Sequence, residues 1–168
     1  DVLINCGSTG VSTEVFYITD LAASSFVVSG GTLTIEENNT TGSSIMDMTI
    51  CGNVGTVTVT GGVVQFGNAT TVNNSTFNFK PFPNATYPAF RISGASSSNN
   101  KLQPSNGSTA NYRLLGLDIE AGTTFDNRSI SGSAGNNKSM SLRGTHDGTN
   151  AFTNDGTFVC RSGTVSLD

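Results

Sequence analysis

"FVVSGGTLTI", residues 26–35, returns as "VTVTGGVVQF" at residues 57–66 and as "FVCRSGTVSL" at residues 158–167. The first two copies align at an offset of 31, which pairs Phe26 with Val57, Val28 with Val59, Leu33 with Val64 and Ile35 with Phe66. Gly30 and Gly31 then fall on Gly61 and Gly62. The third copy lies 132 residues after the first and matches Phe26 to Phe158, Gly31 to Gly163 and Ile35 to Leu167. Each copy reads as strand, glycine corner, strand. In "GTVTVTGG" Val and Thr alternate with period two, which sends one set of side chains inward and the other to water. The glycines permit positive φ where the chain turns.

Two such strands form either a hairpin or two sides of a coil. Hairpins recur at variable spacing, whereas a solenoid must recur at a near-fixed period because each winding sits on the last. The 31-residue offset favours the solenoid, with 132 residues as roughly four periods and loops of uneven length. The remainder agrees: "TEVFYITD", "SSIMDMTIC", "STFNFKPF", "AFRISG", "LLGLDIEAG", "MSLRG" and "NDGTFV" are short β-rich runs between Gly, Asn and Ser. No segment carries a helical apolar period over ten residues. The expectation is an all-β protein, a parallel β-solenoid forming a single domain over residues 1–168. The four prolines, at 81, 83, 88 and 104, mark a loop region of about 80–111 that separates two halves. An immunoglobulin-like β-sandwich pilin, completed by a neighbour's strand, is the alternative fold. The expected core is Phe26, Val28, Leu33, Ile35, Val57, Val59, Val64, Phe66, Phe158 and Leu167, with Gly30, Gly31, Gly61, Gly62 and Gly163 at corners.

Composition sets limits on function. Leu, Ile, Val and Phe supply 40 of 168 residues, enough for a thin core. Charged residues are 12%, so Ser, Thr, Asn and Gly, 82 in all, must build most of the solvent face. The net charge of −4 is spread evenly, and three Lys with five isolated Arg do not form the cationic patch that nucleic acid requires. No apolar run approaches a membrane span. Without an initiator Met, signal peptide or targeting arm, Asp1 reads as a processed start or the edge of a fragment.

The segments "LDIEAGTTFDN" and "AFTNDGTFVCRSGTVSLD" resemble repeat units of large secreted bacterial and archaeal surface proteins, adhesin-like chains, and the resemblance implies a right-handed parallel β-helix. The resemblance is strongest over about residues 112–168. It implies an extracellular or cell-surface location and a structural role in a fibre, surface layer or adhesin. It carries no catalytic residues. Cys160 and the proline-rich middle depart from the repeat pattern. The strand-like "GTVSLD" lacks a polar cap, so the expected partners are copies of the chain, stacked head to tail, or flanking segments of a longer one, with surface glycans as possible ligands.

Candidate sites are few. Nine N-x-S/T sequons occur, at Asn38, Asn39, Asn68, Asn73, Asn74, Asn84, Asn106, Asn127 and Asn137. That is roughly twice the number expected by chance. Asn39, Asn68, Asn74, Asn84, Asn106, Asn127 and Asn137 are the expected N-glycan acceptors, against the reading that Asn and Thr are simply turn residues. Cys6, Cys51 and Cys160 offer one disulfide plus a free thiol, a bond between chains, or small buried side chains. No zinc-ligand spacing exists. Asp118 and Glu120, two apart on a strand, face the same way and are the only arrangement suggesting polysaccharide cleavage; a solvated face opposite Leu117 and Ile119 explains them more simply. His146-Asp147 and Asp155-Gly156 read as turns, and Asp126, Asp147 and Asp155 lack calcium-loop spacing. Thr32, Thr34, Thr56, Thr58 and Thr60 raise an ice-binding alternative that later strands interrupt. The expectation is therefore no catalytic residue, metal or cofactor. A carbohydrate-binding or polysaccharide-cleaving β-helix, of phage-tail-fibre or lyase type, is the second functional reading.

Overall fold

Three short strands complete each winding, and the next winding lies directly upon them. The computed structural model describes residues 2–4, 14–18, 25–38, 46–50, 56–80, 86–104, 111–127, 139–160 and 163–168. The first winding contributes β1 (Val2–Ile4), β2 (Glu14–Ile18) and β3 (Ser25–Val28), and the second β4 (Thr32–Ile35), β5 (Met46–Ile50) and β6 (Thr56–Val59). The third contributes β7 (Val63–Phe66), β8 (Thr76–Lys80) and β9 (Thr86–Tyr87), and the fourth β10 (Ala89–Ile92), β11 (Lys101–Pro104) and β12 (Tyr112–Leu114). The fifth has β13 (Leu117–Ile119), β14 (Thr124–Asp126) and β15 (Met140–Leu142), and the sixth β16 (Phe152–Asn154), β17 (Thr157–Val159) and β18 (Val165–Leu167).

The first face is one sheet ordered β1-β4-β7-β10-β13-β16, and the second is β2-β5-β8-β11-β14-β17. The third face divides into β3-β6 and β9-β12-β15-β18. Every strand pair among the described residues is parallel. The chain is a parallel β-solenoid, and the sandwich alternative, built from antiparallel sheets, is excluded.

The two glycine-pair copies occupy equivalent places on neighbouring windings. Phe26 pairs with Val57 and Val28 with Val59, then Leu33 with Val64 and Ile35 with Phe66, all at the 31-residue interval. Between them the chain turns at Gly31 (φ 79°) and Gly62 (φ 87°), left-handed conformations that glycine adopts without a Cβ penalty. A Cβ on Gly62 would also come within 2.7 Å of Val28 Cγ1.

The third copy corrects the expected period. Phe158 lies on the second face, paired with Phe125, whereas Phe26 lies on the third. The shared pattern marks a strand–corner–strand shape that serves at two different corners, not one repeating position. Later windings also change length: Val64 pairs with Phe90, Phe90 with Leu117 and Leu117 with Phe152, intervals of 26, 27 and 35 residues. The corners vary independently: from the fourth winding to the fifth the two later connections lengthen from residues 105–111 and 115–116 to 127–139 and 143–151. The connection between first and second faces shrinks from residues 67–75 to 93–100, 120–123 and 155–156.

Within residues 80–111 lie β9, β10 and β11, and both large sheets run through them. Pro104 is buried at the last position of β11, where the ladder to β14 pairs only Lys101 and Leu102, so its missing N–H interrupts nothing.

The core is an aromatic column. Phe66, Phe77, Phe79, Tyr87, Phe90, Tyr112 and Phe125 are all at most 1% exposed. Phe79 sits at its centre, with ring centroids of Phe90, Tyr112, Tyr87 and Phe125 at 5.1, 5.2, 6.1 and 6.4 Å. The alternation on β8, with Phe77 and Phe79 buried and Asn78 only partly so, puts these rings inside. Of the expected core, Phe26, Ile35, Val64 and Phe66 are buried, and Val28, Leu33, Val57, Val59 and Phe158 pack against them. Leu167 is the exception at 68% exposed, because no further winding covers the outer side of β18 among the described residues.

Candidate functional site

Stacking in register turns each outward position into a row. On the first face one row runs Thr34, Gln65, Arg91, Asp118, Thr153. Asp118 and Glu120 do project together, as their spacing predicts, but they meet a cation that the sequence alone did not place there. Arg91 Nε lies 2.8 Å from Asp118 Oδ2 and 3.8 Å from Glu120 Oε1. Ser93 Oγ donates to the other oxygen of Glu120 at 2.6 Å.

His146 completes the group from the connection between β15 and β16. Its side chain is 5% exposed, with Nδ1 3.8 Å from Asp118 Oδ2 and Nε2 2.8 Å from Thr153 Oγ1. The turn that carries it is held by Asp147, whose Oδ1 accepts the backbone N–H groups of Thr149 and Asn150 at 2.8 and 2.6 Å. These bonds, led by that from Asn150, hold the Asp147 carboxyl well below the usual carboxylate range. The network therefore ties three successive windings: Arg91 and Ser93 on the fourth, Asp118 and Glu120 on the fifth, Thr153 on the sixth. Both carboxylates engage Arg91, which braces adjacent windings.

The other sequence candidates are dispersed. Asp126 is buried at the end of β14, and Asp155 lies at the corner before β17, its backbone N–H bonded to Ile119 O at 2.9 Å. Among the described residues no three His, Cys, Asp or Glu side chains gather as metal ligands. The Thr34 row continues as Gln65, Arg91 and Asp118, so no threonine array extends along that face.

The sequons differ in presentation. Asn68 Nδ2 donates to Glu36 Oε1 at 3.2 Å, and its Oδ1 accepts from Thr70 N at 2.8 Å. Thr70 Oγ1 donates to the same Glu36 oxygen. Asn127 is 3% exposed, and its Oδ1 accepts the Tyr112 hydroxyl at 2.6 Å, so its amide is not presented to solvent as a glycan acceptor would be. Asn74 is exposed at φ 64°. Asn39, Asn84, Asn106 and Asn137 lie outside the described residues, as do Cys6 and Cys51. Cys160 is an exposed free thiol 3.6 Å from Gly163 O.

A cleft of about 380 Å³ opens on the third face, lined by Arg113, Ser139, Ser141, Arg143, Thr164 and Ser166 together with Asn111, Tyr112 and Met140. Arg113, Ser141 and Ser166 occupy one outward row, in register from β12 through β15 to β18. Their neighbours Tyr112, Leu114, Met140 and Leu142 turn inward and are buried. Sequence reasoning missed this cleft, because 28 residues separate Arg113 from Ser141 and only strand pairing makes them neighbours.

Comparison with protein-family models, with curated proteins and with solved structures finds no match to this chain. What is established is the class, a parallel β-solenoid of three strands per winding.

Proposed function

We propose that the chain is an extracellular structural protein without catalytic activity, a subunit or segment of a surface fibre, surface layer or adhesin. The observation that carries this reading is the outer side of the sixth winding. Phe152, Val165 and Leu167 are 40%, 38% and 68% exposed there, although their register partners Leu117, Met140 and Leu142 are buried. Among the described residues no strand pairs with the free edges of β16, β17 and β18. An apolar cross-section bordered by open backbone donors and acceptors is a template for another layer of strands. A second copy stacked there, or a further winding, would continue both the core and the ladders. Contacts of this head-to-tail kind do not close and so produce linear assemblies.

The low charge and Ser, Thr and Asn surface suit exposure outside the cell, and Asn74 is the described sequon best placed for a glycan. No helix among the described residues is long and apolar enough to cross a membrane. The resemblance to secreted surface repeats points the same way. The test is light scattering with electron microscopy of the native protein. Expected are rods that lengthen with concentration and that disappear in Leu167→Lys while the circular dichroism spectrum is unchanged. Particles of constant monomer size at every concentration, identical for the variant, would overturn the stacking reading. Release of soluble oligosaccharide from an acidic polysaccharide, abolished by Asp118→Asn, would replace the structural role with an enzymatic one.

A further inference from the structure

The cleft on the third face has chemistry of its own. Of the chain's five arginines, Arg91 is committed to Asp118 and Glu120, whereas Arg113 and Arg143 line one cavity whose walls hold no carboxylate. That is unusual in a chain with 12 acidic residues and a net charge of −4. Arg113 is half-buried, and its side chain makes no hydrogen bond or ion pair with any described residue. Arg143 meets Asp168 at 3.4 Å, but both side chains are nearly half exposed, and such a pair is weak enough for a competing anion to displace.

The remaining lining consists largely of hydroxyls and amides. Ser141 and Ser166 lie beside Arg113 in one row, at strand spacings of about 4.8 Å. Their hydroxyls have no partner among the described residues. Ser139 Oγ accepts from Thr164 N at 3.4 Å, and Asn111 Oδ1 accepts from Ser139 N at 3.1 Å, which steadies the wall. The rigid backing comes from Tyr112, Met140 and Leu142, each about 1% exposed. A guanidinium fork matches a planar oxyanion, and adjacent hydroxyl donors and acceptors match a ligand rich in hydroxyls. The volume, about 380 Å³, is within the range of small-ligand sites.

We propose that this cleft binds an acidic oligosaccharide, its carboxylate or sulfate held by Arg113 and Arg143 and its hydroxyls by Ser141 and Ser166. The walls offer no exposed aromatic platform, since Tyr112 is buried, so polar contacts supply the affinity. This inference is independent of the stacking reading: a chain that stays monomeric still presents the cleft.

Calorimetric titration of the whole chain tests it, using tetragalacturonate as the carboxylate probe, a chondroitin sulfate tetrasaccharide as the sulfate probe and maltotetraose as the neutral control. At least one acidic probe is expected to bind with a Kd of roughly 0.1–1 mM, and maltotetraose at least ~10-fold more weakly. Whichever acidic probe binds identifies the anion. Arg113→Gln and Arg143→Gln should each weaken binding by ~10-fold or more, with Arg113→Lys intermediate because it keeps the charge and loses the fork. In the unmodified protein the bound probe should slow phenylglyoxal labelling of Arg113, followed by mass spectrometry, which needs no variant to fold. Equal affinity for the neutral probe, undiminished binding in Arg113→Gln, absent protection, or no binding of either acid at ~10 mM would each refute the assignment.

Discussion

Phe79→Ala and Leu167→Ala form the sharpest test of the stacking. From the strand pattern alone Leu167 reads as core, yet the structure leaves it 68% exposed and buries Phe79 completely. Phe79 touches rings on three successive windings, with centroids from 5.1 to 6.4 Å. Its ring neighbours belong to four other strands, β9, β10, β12 and β14, whose ladders hold the backbone and keep it from collapsing into the gap. Truncation therefore removes the transfer free energy of the ring and leaves a cavity, together about 4 kcal/mol. For a chain of 168 residues that corresponds to a fall in Tm of roughly 8–16 °C. Burying a whole leucine side chain contributes about 1.5–3 kcal/mol, and a side chain two-thirds exposed retains about a third of that, so Leu167→Ala should cost less than about 1 kcal/mol. Urea unfolding followed by far-UV circular dichroism reads both, at dilution low enough to keep the chain monomeric, with unchanged m values showing that only stability moved. Comparable losses for the two variants would mean that a further layer covers β18 even in the monomer, and the reasoning would fail. Raising the concentration should then single out Leu167→Ala, by suppressing assembly without changing the fold.

At the repeated corner, Gly62→Ala should destabilise by about 1–3 kcal/mol, because φ 87° disfavours any side chain and the new Cβ would approach Val28 Cγ1 to 2.7 Å. A melting temperature equal to that of the parent would remove the glycine corner from the account. Burial, then the neighbouring Cys160 and Tyr87, raise the Tyr112 phenol above its ordinary value, so the folded chain keeps a proton that the unfolded chain releases near pH 10. Stability should accordingly be unaffected by this group below that pH and decline above it, by up to about 1.4 kcal/mol per pH unit. Tyr112→Phe should cost about 1 kcal/mol at neutral pH through the lost bond to Asn127 and should flatten the alkaline decline. An identical alkaline slope in parent and variant would exclude Tyr112 as its source.

How much was legible depends on the distance over which each feature is written. Strand alternation is local, so "STFNFKPF" already puts Phe77 and Phe79 on one side of β8. The 31-residue offset between the glycine pairs was legible because two consecutive windings happen to keep the same length, and it gave the true register there. Asp118 and Glu120 could be placed on one side from their spacing alone. Arg91 and His146 could not, since which residue lies across from Asp118 depends on how much chain each corner consumes.

The sequence by itself determined the β-rich character, the parallel winding of its first half and the corners where only glycine fits easily. The first and last of these follow from side-chain alternation and backbone sterics within a few residues, and the second from the 31-residue recurrence of the glycine pair. The tertiary structure alone decided the later register, the burial of Phe79, the exposure of Leu167, and the meeting of Arg113 with Ser141 and Ser166 in one cleft. The physical reason is that a parallel ladder fixes the sideways neighbour of every residue only after the intervening corner has closed. Corners of one to thirteen residues satisfy the same backbone hydrogen bonds, so their lengths leave no periodic trace in the sequence.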